Sequence, residues 1–273
     1  MNLPYLKKGY LGLITGMSTY SCTRGPDGFG SQMLAAFQGY LIAKKGSRNY
    51  CFRPISTIRL LNVGDSNDEL DSLNSIISTT MSNLNIPDCS SVSGPIDNEA
   101  VPYGNVRDDM FGEEALKSLS NAWPCDPPDY YKDRFNIAVH IRRGGDIGPG
   151  EVYRWGDSKY YNVLIKDFLR IYPNAIVHTF SWNDPQIEDF PEDKVIKHIS
   201  SKGGAILDHY NALIHSDILM VSSSTFSNSA ALFNKNIVLV NPEIMHLTLN
   251  PYCSRWVQNY KDIENEKSFN NRN

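Results

Sequence analysis

Apolar residues are spread unevenly along this chain. In the second half they gather into short unbroken runs: NIAVHI from Asn136, AIVHTFS from Ala175, KVIKHI from Lys194, ILMVS from Ile218 and NIVLVNP from Asn236. These runs are rich in Ile and Val and do not alternate with polar residues, the pattern of strands covered on both faces. Between them lie stretches with helical spacing: DSKYYNVLIKDFLRIYP from Asp157, GGAILDHYNALIHSD from Gly203 and STFSNSAALFNK from Ser224. Strand and helix in turn predict an α/β fold built on a parallel sheet.

The first half is less regular. YLGLITG (Tyr10 to Gly16) is expected as a first strand, and TRGPDGFG (Thr23 to Gly30) as a loop because of its Gly and Pro. Ser31 to Gly46 follows as a helix with a stripe at Met33, Phe37, Tyr40 and Leu41, capped by Ser31 and closed by Lys44, Lys45 and Gly46. NYCFRPI from Asn49 reads as a second strand, which completes a β–loop–α–β opening. Residues 62 to 105 turn rich in Ser, Asn, Asp and Gly, with one helix around LNSIISTTMSNL. EEALKSLSNAW is a short helix, and WPCDPPDYYKDR is broken by proline. A domain boundary near residue 130 is expected there, giving an N-terminal α/β lobe of 1–130 and a Rossmann-like lobe of 131–273.

Charge narrows the function classes. A formal net charge of −4 argues against a general nucleic-acid binder, so a bound anion must be met by a local positive cluster. The five cysteines are widely spaced and contain no C-x-x-C pair, which predicts free thiols in a reducing compartment and neither a zinc site nor a disulfide framework. No stretch reaches the ~20 apolar residues needed to span a bilayer, and the lysines near the N-terminus precede no persuasive cleavage site. The expectation is a soluble, cytoplasmic protein.

Candidate chemistry collects at the carboxyl ends of the predicted strands, where parallel α/β sheets bind ligands. The run Val139-His140-Ile141-Arg142-Arg143-Gly144-Gly145-Asp146 ends a strand in two arginines, whose fixed donor forks match phosphate oxygens. A surface ion pair beside a turn is the plain alternative. Ser222, Ser223, Ser224 and Thr225 open the helix at Phe226, and helix N-termini attract phosphate. The plain alternative there is a single N-cap, which needs fewer hydroxyls. Ser181, Trp182, Asn183 and Asp184 follow a third strand and offer polar groups and a ring to a base or sugar, or form only a loop.

These elements resemble the superfamily of α1,2-, α1,6- and protein O-fucosyltransferases. Its H-x-R-R-x-D type motif stands here as His140 to Asp146 with one extra glycine before the aspartate. Its G-x-G-N/S-Q element stands as Gly28-Phe29-Gly30-Ser31-Gln32, and its S-x-S-T/S-F-S element as Ser222 to Ser227. The two tryptophans that follow the latter in α1,2 members are replaced by Asn228 and Ser229.

The resemblance implies a GT-B fold of two facing lobes and a metal-independent, inverting glycosyltransferase. The expected donor is GDP-fucose, taken as a substrate with no cofactor, and the acceptor is a glycan hydroxyl. Arg143 is expected as the main phosphate ligand and Arg142 as structural or secondary. His140, Ser181, Asp184, Ser223, Ser224, Thr225, Phe226, Gly28 and Gly30 complete the donor site. Asp146 is the first candidate for general base, followed by Glu151 and Asp157, with Asp27 behind them. The alternative role of Asp146, Glu151 and Asp157 is ion pairing with Arg142, Arg143 or Arg154, and that of the segment holding Asp27 is an ordinary βα turn. Another donor such as UDP-xylose or a UDP-hexose, or a catalytically silent nucleotide- or glycan-binding module, remains open.

Overall fold

The computed structural model describes residues 19–22, 28–56, 58, 67–93, 95–99, 112–131, 133–143, 156–200, 206–240 and 256–257. The strand expected at Tyr10–Gly16 lies outside them. Two parallel sheets organise the chain. The smaller has β1 (Thr19–Cys22) in the middle, flanked by β2 (Asn49–Tyr50) and β3 (Ile96–Glu99). The larger has six strands in the order β6-β5-β4-β7-β8-β9: β4 (Asn136–His140), β5 (Ile176–Ser181), β6 (Val195–Ile199), β7 (Ile218–Met220), β8 (Ile237–Leu239) and β9 (Trp256–Val257). Every pairing in it is parallel. Numbered within this half, the order is 3-2-1-4-5-6, that of a doubly wound dinucleotide-binding sheet.

Side-chain parity sorts the two faces of the large sheet. Ile137, Val139, Ile141 and Val177 pack with Tyr161, Leu164, Ile165 and Phe168 of α4 (Ser158–Ile171). On the other face Ala138, Phe180, Leu219 and Val221 meet α5 (Ile206–His215) and α6 (Thr225–Phe233). That second cluster continues without a break into α1 (Phe29–Lys45), α2 (Asn67–Asn83) and α3 (Glu113–Ala122). α6 is therefore enclosed on all sides, which explains why its sequence carries apolar and small residues around its whole circumference.

The segment between α3 and β4 lies along α5. Trp123 Nε1 donates to Asn211 Oδ1 (2.9 Å), Asn211 Nδ2 to Asp126 O (2.8 Å) and His215 Nε2 to Cys125 O (2.8 Å). From α2, Glu69 Oε1 accepts from Ile206 N at the start of α5 (2.7 Å). This carboxylate satisfies an amide that the helix itself leaves without a partner.

Several expectations are corrected. α1 begins at Phe29, with Gly28 as an extended N-cap, so Ser31 lies inside the first turn and does not cap it. The Phe29 ring sits edge-on to Tyr210 at 5.0 Å between centroids, and that burial draws the helix start forward. The second strand shrinks to two residues, Asn49–Tyr50. β3, of sequence IDNE, carried no apolar run to announce it, and β9 has only two residues.

The cysteine reading changes most. Cys51 and Cys89 form a disulfide with Cα atoms 4.9 Å apart across a sequence separation of 38. The isolated parallel bridge of Phe52 to Asp88 brings the two together, a juxtaposition no spacing rule detects. Of the described cysteines, Cys22 and Cys125 are free thiols. A structural disulfide persists in an oxidising environment, which counts against the reducing compartment expected from spacing. Among the described residues no helix is long and apolar enough to cross a membrane.

Candidate functional site

The large sheet reverses its winding between β4 and β7, and at such a switch point parallel α/β sheets bind ligands in the crevice outside the carboxyl ends of the strands. His140, the last residue of β4, is buried, and its Nδ1 lies 2.7 Å from Ser222 Oγ beyond β7. Burial, then the Arg142 charge, then His209 push its pKa down to about 3, so the ring is a neutral link between the strand ends.

Beyond β7 the chain folds into a tight turn before α6. Ser224 N donates to Ser222 O (2.7 Å), and Ser222 N donates to Ser227 Oγ (3.2 Å). Ser224 is the N-cap: its Oγ accepts from Phe226 N at 3.3 Å and also from Arg142 Nη1 at 3.0 Å. A hydroxyl oxygen has two lone pairs and one hydrogen. With both lone pairs engaged, Ser224 presents a hydrogen, beside a guanidinium and a helix N-terminus. All three favour an anion.

The two arginines are placed differently. Arg142 is half-buried and crosses from β4 to the α6 turn. Arg143 is only 3% exposed and turns to the α4 side, where Nη1 donates to Arg142 O (2.9 Å) and Nη2 to Ser158 Oγ (3.1 Å). Its guanidinium lies 5.7 Å from the centre of the Tyr161 ring. Burial lowers its pKa, against opposing contributions from Tyr161 and Asp157. Sequence reasoning singled out neither Ser158 nor Tyr161, although Ser158 follows directly on the helix-capping Asp157.

Of the remaining candidates, Ser223 is buried within the turn, and Thr225 Oγ1 lies 2.9 Å from Ser31 Oγ of α1. Phe226 is half-buried, its ring 5.7 Å from that of His140. Gly28 borders open space, whereas Gly30 is buried against α6. Ser181 closes β5 in a buried position, with no hydrogen-bond partner for its hydroxyl among the described residues. Asp184 is exposed and accepts from Gln186 N (2.8 Å), the role of a turn residue. Asp157 caps α4 by accepting from Lys159 N (2.9 Å). Asp146, Glu151 and Asp27 lie outside the described residues. Asp208 is exposed on α5, while its neighbour His209 pairs through Nδ1 with Ser200 Oγ (2.9 Å).

A second polar group on the same sheet face was not foreseen. Asn136 Nδ2 donates to Tyr131 O (2.8 Å) and Arg134 O (2.7 Å), which turns its Oδ1 towards His178 Nε2 at 3.2 Å. Nε2 of His178 must therefore carry the proton, and Nδ1 accepts from His198 Nε2 at 3.0 Å. Tyr130 and Phe180 stack on His198, and the Tyr131 ring lies tilted against His178. Burial, with His198 second, pushes His178 down to about 3, and burial, with His209 second, pushes His198 to about 4. Strand parity could have placed His178 and His198 on one face, but their contact depends on the register of β5 with β6.

No protein-family model matches the chain, and no curated protein does. Among solved structures, the α1,6-fucosyltransferase NodZ co-crystallised with GDP aligns over 79% of this chain and 92% of its own, at 12% identity and a TM-score of 0.39. Fucosyltransferase NodZ from Bradyrhizobium aligns over 79% and 93%, at 12% identity and a TM-score of 0.36.

Proposed function

We propose that this chain is a glycosyltransferase that holds the diphosphate of a nucleotide sugar at the crevice between β4 and β7. The observation that carries the reading is the double acceptance at Ser224 Oγ, from Arg142 and from the first turn of α6. Cleaving a sugar–phosphate bond leaves negative charge on the departing diphosphate. A preorganised arginine, a hydroxyl donor and helix-end amides stabilise that charge as it develops. In this reading Arg142 is the leading phosphate ligand, and Arg143 holds the end of β4 against α4 and supports it. This order departs from the motif-based expectation because Arg142, by its bond to Ser224, spans the two strand ends.

The motif resemblance supports GDP-fucose as donor, a glycan hydroxyl as acceptor, and an inverting reaction without a metal ion. Residues 1–130 then supply the acceptor side of a two-lobed GT-B arrangement and 131–273 the donor side. A carboxylate that follows β4 in the sequence takes the acceptor proton, with Asp146 first and Glu151 after it.

The test is a thermal-shift screen with GDP, UDP and their sugars, followed by turnover of the stabilising donor with and without chelator. GDP and GDP-fucose are expected to stabilise the protein, and chelator is expected to leave turnover unchanged. Arg142→Ala is expected to reduce kcat about 10²–10³-fold, the usual cost of losing one preorganised donor. Stabilisation by UDP and not GDP overturns the donor, and strict dependence on an added divalent ion overturns the metal-free reaction. Full turnover by Arg142→Ala overturns the phosphate assignment.

A further inference from the structure

The start of α1 touches the start of α6 backbone to backbone, and one residue makes that approach possible. A Cβ added at Gly30 would lie 2.3 Å from Phe226 Cα, 2.4 Å from Phe226 N and 2.6 Å from Thr225 C. All three are main-chain atoms, so no rotamer change relieves the collision, and the two helix starts would have to separate. On one side of Gly30 the Phe29 ring packs against Tyr210 at 5.0 Å and Phe226 at 6.4 Å. On the other, Ser31 Oγ and Thr225 Oγ1 are 2.9 Å apart. We propose that Gly30 is a positioning residue for the donor site: its missing side chain lets α1 seat the first turn of α6 at the distance from Arg142 that diphosphate binding needs.

The proposal rests on the reading of the β4–β7 crevice as a diphosphate site, and it assigns Gly30 a role that requires no contact with the donor. Its consequence is that residues of the first half of the chain set the geometry of the second half's ligand site. A misplacement of about 1 Å in a preorganised site costs up to about a hundredfold, so a single methyl group here is expected to register in binding.

Gly39 supplies an internal control. It lies in the same helix, and an added Cβ there would meet Cys22 Cβ at 2.6 Å and the Tyr50 ring at 3.1 Å, on the side facing β1 and β2 rather than α6. The experiment titrates GDP, UDP and inorganic pyrophosphate into the full chain, its Gly30→Ala and Gly39→Ala variants, and Ser31→Ala, with thermal melting of each. Gly30→Ala is expected to weaken the preferred nucleoside diphosphate and pyrophosphate alike, by about tenfold or more. Gly39→Ala is expected to lower the melting temperature while leaving both affinities unchanged. Should Gly30→Ala not fold, Ser31→Ala removes only the hydroxyl facing Thr225, and about a threefold loss of pyrophosphate affinity is expected from disturbing one hydrogen bond.

Equal affinities in wild type and a folded Gly30→Ala overturn the proposal, as do equal losses in Gly30→Ala and Gly39→Ala. If Gly30→Ala does not fold, unchanged affinity in Ser31→Ala overturns it. Failure of wild type to bind any of the three probes overturns instead the functional reading beneath it, and the proposal with it.

Discussion

The two sheets of this protein run parallel and are built by opposite means. The larger lies in the second half of the chain, with helices on both faces and a core dense enough to bury polar groups such as His140 and His178 in hydrogen bonds. The smaller has strands of four, two and four residues and is crossed by a disulfide one residue beyond β2. A short parallel sheet gains little from its own ladders, because it offers few hydrogen bonds and little surface to cover. Covalent bracing and the packing of α1 take up that deficit. The large sheet holds itself by burial and by neutral histidines, the small one by a bond between sulfurs. Acid and reductant should therefore attack different halves.

Acid is expected to have the largest effect. All six histidines follow residue 139, so none lies in the first half. An unfolded histidine titrates near 6.5, whereas His140 and His178 are held near 3 and His198 near 4 when folded. Between these values the unfolded chain binds more protons than the folded one. Stability is thus fully present above the unfolded value and falls as pH drops towards the folded ones. Each group contributes on the order of 1.4 kcal/mol per unit of depression. Thermal melts between about pH 7.5 and pH 4 should show a steadily falling midpoint, and His178→Gln should make the slope shallower. A flat profile would remove the buried, neutral histidines from the account.

Reduction comes next. Replacing Cys51 and Cys89 together by serine should cost about 2–4 kcal/mol. Hydrogen exchange should locate the loss in β1, β2 and the turn at Cys89–Ser91 while β4 and β5 stay protected. If both sheets lose protection together, the contrast drawn between them is wrong.

The smallest effect tests the seam between the regions. Glu69→Ala leaves the Ile206 amide without its carboxylate and should cost about 0.5–2 kcal/mol, the range of a lost helix cap. The loss should be read at α5 first, by exchange of its opening amides. No change in stability would mean that water replaces the carboxylate freely.

The larger sheet could be read from sequence because its strands up to β8 are compact runs rich in Ile and Val, most of them set off by helical stretches. The turn at Ser222 to Thr225 was legible for the same reason: excess hydroxyls at a strand end have few ordinary uses. Other features depend on tertiary register. Cys51 and Cys89 meet only because β2 leads into a bridge with Asp88, and β3 is polar in sequence yet pairs with β1. Arg142 and Arg143 are adjacent in sequence and differ only in which way each leaves the strand, and parity assigns them to opposite sides. Asn228 is fully buried with no partner among the described residues for either end of its amide, and nothing in the structure explains it.

The burial of α6 also has a dynamic meaning. Surface loops that bind ligands open by small fluctuations costing little free energy, whereas segments within a core open only with the core. The turn between β7 and α6 belongs to the second kind, since it leads into a helix enclosed by the large sheet, α1, α3 and α5. Opening of that turn is therefore expected to cost as much as opening the core around it. The turn and the core of the protein are, in that sense, one cooperative unit.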